Sequence, residues 1–533
     1  MRPPARAAGI GREGIRLRRS LGIALAGALA AAASAPPAPA EEPPRGPAPA
    51  PAKREDPRTL RVSLKEAVAL ALRNNLDLHA ATYGPAISRA GLAEAESLYD
   101  HLFTARAGGG ERKIPSVSQL AGDPDQLSED LLGASVGLQR LLPTGGTLGL
   151  EASADRTLTN SSFVTINPYF DTRVGLSLRQ PLLRGFGRDV TESGIRAAEN
   201  ERDFADLELR SRTEDLVREV EVTYWLLVGS RGDVEAQRKS VAVAEDLLRI
   251  TEARLAAGAG TRVDVSQASA GVAARRVDLL RSENVVRSFE ENLLGLLLPR
   301  TPDSPGGGGM RAEPSEDPRG ALPPVPAEDV EADVARALVS RSDLRGQRVL
   351  ADNASVDVLR AESDALARLD LEASLAYAGV DGNLGNSAAD SLASREHATW
   401  SVGVLLEVPI GNRAARARLD QAVLSRDRAE ARVRALESNA AVRLRNARRD
   451  LVSTREQIDA AALSTRLAEE QLEAEKERLK NDKSTTFEVL RLEQDLTQAR
   501  RAELRALVDF LTTYTRYHFE AGRILEERGL VAK

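Results

Sequence analysis

Apolar or small residues recur at every seventh position late in the chain: Leu444, Leu451, Ile458, Thr465, Leu472 and Leu479. Ala447, Thr454, Ala461 and Ala468 follow them three positions further on. A sustained seven-residue repeat specifies long helices wound in a left-handed supercoil. The first half carries the same pattern in Val234, Val241, Leu248 and Leu255, with Ala244 and Thr251 between. Two very long helices are therefore predicted, roughly 189–257 and 412–481, each about 100 Å at ~1.5 Å per residue. Large residues facing Ala and Thr let helices approach closely without a thick core. Gly229 and Gly232 interrupt the first long helix. A glycine there costs about 1 kcal/mol in an exposed interior, so a kink or a close helix contact is expected.

Each long helix ends in the same written form. Residues 254–268 read RLAAGAGTRVDVSQA, and 224 positions later residues 478–492 read RLKNDKSTTFEVLRL. In both, a short tip is followed by Thr-x-x-acid, Thr261 with Asp264 and Thr485 with Glu488, the capping box that satisfies the free amides of a first helical turn. Returning helices are predicted at 262–298 and 485–526. A second segment also recurs: SLKEAVALALRNNLDL at 63–78 is echoed at 329–344, an offset of 266, with Val68, Leu72, Asp77 and Leu78 matching Val334, Leu338, Asp343 and Leu344. Ser63-x-x-Glu66 is a further capping box. Long-period self-similarity implies internal duplication, with repeat 1 at 59–298 and repeat 2 at 327–533. Between them, 299–326 is a Pro/Gly-rich linker expected to lack regular structure.

Period-two segments precede each long helix. Val174, Leu176 and Leu178 alternate with Arg173, Gly175, Ser177 and Arg179 before Pro181, and Trp400, Val402, Val404, Leu406 and Val408 alternate likewise before Pro409. Partner strands are expected upstream, roughly at 101–111 and 367–379. A sheet with one wet face would alternate in this way. So would a transmembrane barrel, which needs about 9–11 residues per strand, apolar toward lipid and polar toward the lumen. The strand pattern alone does not separate the two. Val136 and Leu138, then Leu148, Leu150 and Ala152, alternate around Pro143-Thr144-Gly145-Gly146, an additional hairpin within 133–157.

The first 40 residues tilt that choice. Arg12, Arg16, Arg18 and Arg19 precede the apolar run Leu21 to Ala33 and then Ala38-Pro39-Ala40, the form of a secretory signal peptide (1–40). Residues 41–58 are Pro-rich and expected to be disordered. Beyond the signal no apolar run approaches the ~18 residues of a membrane helix, so entry into a membrane would have to be as β-strands. Aromatics make up 3% of the chain, cysteines are absent, and the net charge of −6 shows no basic patch for nucleic acid. The four histidines, His79, His101, His397 and His518, have no metal spacing, and no nucleophile or phosphate-cradling motif is present. No cofactor, metal or enzyme activity is expected.

In order and spacing, SLKEAVALALRNNLDL, the strand-ending SLRQPLLRGFGRD at 177–189 and the two tips resemble the TolC-like outer-membrane efflux (outer membrane factor) family across about 59–530. The resemblance implies an α+β membrane protein, a homotrimer. Its long antiparallel helical hairpins would form a periplasmic α-barrel, and each protomer would give four strands to a shared twelve-stranded transmembrane β-barrel in outer-membrane lipid. It also implies a passive exit duct for a tripartite efflux pump or type I secretion system. That duct would work with a periplasmic adaptor (membrane fusion) protein docked at the tips and with an inner-membrane transporter. Carried onto this sequence, the tip residues Gly258, Gly260, Thr261, Arg262, Lys483, Ser484 and Thr485 would meet the adaptor. Asp264 and Glu488 would ring the periplasmic entrance. A second acid would fall at Arg491, where this chain departs from the pattern and offers an ion pair instead. The extra hairpin also departs from the four-strand plan: either it is a loop outside the lipid, the favoured expectation, or the strand count differs from twelve. A secreted, soluble coiled-coil scaffold is the competing reading.

Overall fold

In the computed structural model, residues 59–115, 126–258, 261–298, 310–320, 322–326, 329–393, 397–481, 483–484 and 486–530 are described. The signal segment 1–40 and the Pro-rich stretch 41–58 lie outside them. In chain order come strand β1 (Thr59–Val62) and helices α1 (Leu64–Asn74), α2 (Leu76–Ala81) and α3 (Tyr83–Glu96). Strands β2 (Leu102–Pro115), β3 (Gln126–Leu141), β4 (Thr147–Thr159) and β5 (Tyr169–Pro181) follow. Helices α4 (Arg188–Thr191), α5 (Ser193–Ala256) and α6 (Arg262–Leu297) complete the first repeat. After β6 (Arg311–Pro314), the second repeat has α7 (Val330–Ser340), α8 (Ser342–Ala365), β7 (Arg368–Asp381), α9 (Leu384–Ala393), β8 (Ala398–Glu407), α10 (Arg413–Lys480), α11 (Thr486–Glu520) and α12 (Ile524–Glu527).

The two long helices, α5 with 64 residues and α10 with 68, match the expected spans closely. At ~1.5 Å per residue both run close to 100 Å. Along α10 the seven-residue seam is the packed face: Leu444 and Leu451 are fully buried, and Ile458, Thr465 and Leu472 nearly so. Gly229 and Gly232 lie within one continuous helix and mark a close contact. A Cβ at Gly229 would meet Val508 Cγ2 at 3.1 Å, and one at Gly232 would fall 2.0 Å from Leu504 Cδ2, so α5 and α11 pack backbone to side chain.

The main core lies midway along the helices. Trp225, Leu227, Leu293, Leu297, Leu444, Leu451, Phe510 and Tyr517 are buried together there, with Val68 and Ala71 from α1 and Val334 and Ala337 from α7. The duplicated segments thus occupy equivalent places against the long helices. Ser63 and Glu66 form the expected capping box, and Asp329 caps α7.

The linker is not without regular structure. Arg311–Pro314 forms β6, which pairs in parallel with β1 from Thr59↔Arg311 to Val62↔Pro314. Ala312 is fully buried, and Tyr224 Oη donates to the Val62 carbonyl at 3.2 Å. A small side chain against the core and a free strand edge are enough to order four residues that carry no alternating pattern.

His518 on α11 sits in this core at 6% exposure, stacked near Tyr514 and Tyr517, with neither ring nitrogen hydrogen-bonded. Glu527, Arg523, Arg528 and Asp333 are the charges around it. Burial disfavours the imidazolium and pushes its pKa down to about 4. Between that value and the ordinary ~6.5 the unfolded chain binds more protons than the folded one, so stability is complete above pH ~6.5 and falls as pH drops toward 4. His518→Leu is expected to remove this acid-side loss, which is on the order of 3 kcal/mol in full. Thermal denaturation at pH 7 and pH 5 measures it; an unchanged difference between the two pH values would show that His518 is not the responsible group.

Candidate functional site

Two features of the chain face outward with chemistry: the hairpin tips and the sheet. At the first tip, Gly258 adopts φ +74 just past the end of α5, and its amide donates to the Leu255 carbonyl at 3.0 Å. Only a residue without a Cβ enters that conformation at no cost, which is why a helix stops here. Thr261 then caps α6. Its hydroxyl accepts from the Asp264 amide at 3.2 Å, while Asp264 Oδ2 accepts from the Thr261 amide at 2.9 Å and from its hydroxyl at 2.7 Å. The Thr261 hydroxyl, followed by its backbone amide, holds the Asp264 carboxyl below its ordinary pKa. Capping thus accounts for the identities of Thr261 and Asp264. Arg262 beside them is exposed.

At the second tip the Asn481 and Lys483 amides both donate to the Arg478 carbonyl, at 3.1 and 2.9 Å. Ser484 Oγ donates to Glu475 Oε1 at 2.5 Å, fixing the turn to the preceding helix. Glu488 and Arg491 lie one turn apart on α11, with Arg491 Nη1 3.8 Å from Glu488 Oε2. Both are largely exposed, so within one protomer this pair contributes little to stability. Of the tip residues singled out in the sequence, Gly260 and Thr485 lie outside the described residues.

The sheet has six strands in the order β2-β3-β4-β5-β7-β8, every neighbour antiparallel. The expected partner of 400–409 is correct: β7 pairs with β8. The expected partner of 173–179 is not, because β5 lies between β4 and β7, and β2 pairs with β3 instead. Nor is the extra hairpin a loop; β3 and β4 stand inside the sheet. Alternation identifies a strand but carries no information on its neighbour, and pairing through consecutive hairpins is the shortest connection available.

On one face of the sheet, charges make a cross-strand network that alternation suggested but could not pair. Arg179 Nη2 donates to Asp370 Oδ2 at 2.7 Å and Arg368 Nε to the same oxygen at 2.8 Å, while Arg368 also reaches Glu407 at 3.2 Å. Asp370 is 2% exposed beneath its two guanidinium partners. The opposite face is apolar and exposed, with Leu150, Leu176, Trp400, Val402 and Val404 open to the surroundings. At the far end of the strands α9 closes over β5 and β7, where Ser387 Oγ lies 2.6 Å from the Gly379 carbonyl and 2.8 Å from Thr172 Oγ1. Among the described residues no helix is long and apolar enough to cross a membrane.

The chain thus joins a two-faced antiparallel sheet to two long helices, each close to 100 Å. Residues 132–297 match the family described as outer membrane efflux protein. The outer membrane efflux protein BepC of Brucella suis biovar 1 (strain 1330) is 28% identical over 346 residues, which is 62% of this chain and 68% of that protein. Among solved structures, the Campylobacter jejuni CmeC outer membrane channel superposes with a TM-score of 0.62 at 17% identity, covering 86% of each chain. The outer membrane protein VceC of Vibrio cholerae superposes with a TM-score of 0.58, again at 17% identity, over 86% of this chain and 96% of that one. At such identities these two structures show the fold alone. Residues 132–297 thus carry an outer membrane efflux protein domain, and the protein belongs to the outer membrane and extends into the periplasm.

Proposed function

We propose that this protein is the passive exit duct of a tripartite efflux pump or a type I secretion system, working as a homotrimer. The observation that carries the reading is the joining of one apolar-faced sheet to two helical hairpins of periplasmic reach, the first of them ending in a stopped and recapped tip. In this reading the sheets of three copies close into one barrel in outer-membrane lipid and the hairpins close into one periplasmic tunnel. The tips, with Gly258, Arg262 and Lys483 exposed, take the periplasmic adaptor, and the inner-membrane transporter supplies the energy. Asp264, Glu488 and Arg491 lie one turn inside those tips, at the entrance. Asp264 acts chiefly as a cap, whereas the Glu488–Arg491 pair sets the charge of the mouth.

The test is purification from outer membranes in mild detergent, followed by planar-bilayer recording. The duct reading expects a trimer that conducts. Arg491→Glu places two acids per protomer at the mouth and is expected to shift the reversal potential toward cation selectivity by several-fold in permeability ratio. A monomer or dimer soluble in periplasmic extract would instead support a scaffold. A conducting trimer with unchanged selectivity would remove Glu488 and Arg491 from the entrance.

A further inference from the structure

The four-strand plan expected of each protomer does not describe this chain. We propose that the β3–β4 hairpin is a membrane-spanning part of the barrel wall, so that three copies of the six-stranded sheet close into an eighteen-stranded barrel. This rests on the trimeric duct reading and goes beyond it.

Four observations carry the proposal. The first is length: β3 has 16 residues and β4 has 13, against 13 in β5 and 10 in β8. β3 and β4 both exceed what a tilted strand needs to cross a bilayer, about 9–11 residues.

The second is the facing of side chains. Through the ladder registers a single row runs across the sheet: Phe103, Leu138, Leu150, Leu176, Leu375 and Trp400, all six exposed. The neighbouring row on the other face reads Thr104, Gly137, Glu151, Gly175, Ala376 and Thr399. From Leu132 to Leu138 on β3 and from Leu148 to Ala154 on β4, the hairpin therefore presents its larger apolar residues to the same side as β5, β7 and β8, and Glu151 to the polar side. An extramembrane hairpin has no reason to keep that phase, whereas one between lipid and a watery lumen must.

The third is anchorage at the helical end. The turn between β3 and β4 is seated on the chain leaving β5: the Thr144 carbonyl accepts from the Gly187 amide at 3.2 Å and from Gln180 Nε2 at 3.1 Å. Gly145, at φ +85, lies so close that a Cβ there would fall 2.2 Å from the Gly185 carbonyl oxygen.

The fourth is the length of the repeats. The start helices are offset by 266 residues and the tips by 224, so the first repeat carries 42 residues that the second lacks. That is the length of one hairpin of this size with its connection.

The free edges then fit a second copy. β8 is exposed at all ten positions and β2 at all but one. An even strand count makes β2 and β8 antiparallel to each other, so copies join edge to edge and leave no unpaired backbone in lipid. Because diameter grows roughly linearly with strand number, the barrel is about 1.5 times as wide as a twelve-stranded one. It also enters the range that holds an open aqueous channel, a port suited to bulky cargo.

The chain has no cysteine, so single cysteines report without background. Leu150→Cys and Glu151→Cys, spin-labelled in the full-length protein in nanodiscs, test the wall. The Leu150 label is expected to collide with oxygen dissolved in lipid and the Glu151 label with a water-soluble nickel chelate, each by several-fold over the other reagent. Electron cryomicroscopy of the same particles counts strands and copies. Three copies and eighteen strands are expected. Three copies with twelve strands and both labels in water would overturn the hairpin proposal and leave the duct reading standing. Any other copy number would overturn both.

Discussion

Arg528→Ala is expected to destabilise the helical core by about 3–5 kcal/mol, the usual cost of stripping one partner from a buried ion pair. Glu221 on α5 has a side chain only 1% exposed and accepts from Arg528 Nε at 2.5 Å, from Arg528 Nη2 at 2.8 Å and from Thr515 Oγ1 at 2.7 Å. Arg528 lies just past α12 and so fastens that helix to α5. Without it, Glu221 keeps one hydroxyl partner for a full negative charge and must admit water. Adding Glu221→Gln to the Arg528 substitution removes the stranded charge and should restore most of the loss. Thermal denaturation of the detergent-solubilised protein measures both. A loss below about 1 kcal/mol for the single variant would mean that water already screens the pair.

The second large effect is expected in the seven-residue seam. Leu451 is fully buried, whereas Leu463, on the same helix, is 46% exposed. Leu451→Ala removes buried methyl groups and leaves a cavity between tightly packed helices, for about 2–5 kcal/mol. Leu463→Ala should stay within about 0.5 kcal/mol. Equal effects at the two positions would show that helix content alone, and not the seam, carries stability in this region.

That contrast shows which parts of the fold are legible in the chain. A periodic signal sustained over many turns has few competing explanations, so the long helices, the buried face of α10 and the turning points were all readable within a few residues. Capping at Thr261 and Asp264 was readable for the same reason: the pattern is local and satisfies amides that any helix start leaves free. Pairing between strands is set by distant segments. Val174, Leu176 and Leu178 declared a strand with a dry face, yet nothing in them says that β4 rather than β2 lies alongside. β6 was missed outright, since Arg311–Pro314 shows no alternation and is ordered only by the edge of β1 and the burial of Ala312.

The candidate entrance was legible in the same uneven way. The tips follow from sequence, and Glu488 and Arg491 could be seen to lie one turn apart on a helix. In the proposed trimer their consequence depends on the neighbouring copies, which the residues of one chain do not encode locally. The charged face of the sheet was foreshadowed by Arg173 and Arg179 falling on polar positions, but the convergence of two guanidinium groups on one carboxylate required the β5–β7 register.

The parallel clasp of β1 against β6 bears on how such a chain can be divided. Thr59–Val62 opens the first repeat and Arg311–Pro314 precedes the second, so the repeats are laced together upstream of either long helix. The peptide bonds between residues 299 and 309 are therefore not the main tie between them. Two separately translated pieces, one ending and one beginning within that stretch, would still find each other through the clasp and through the seam of α5 against α11, so a gene split at this place would still yield one working subunit.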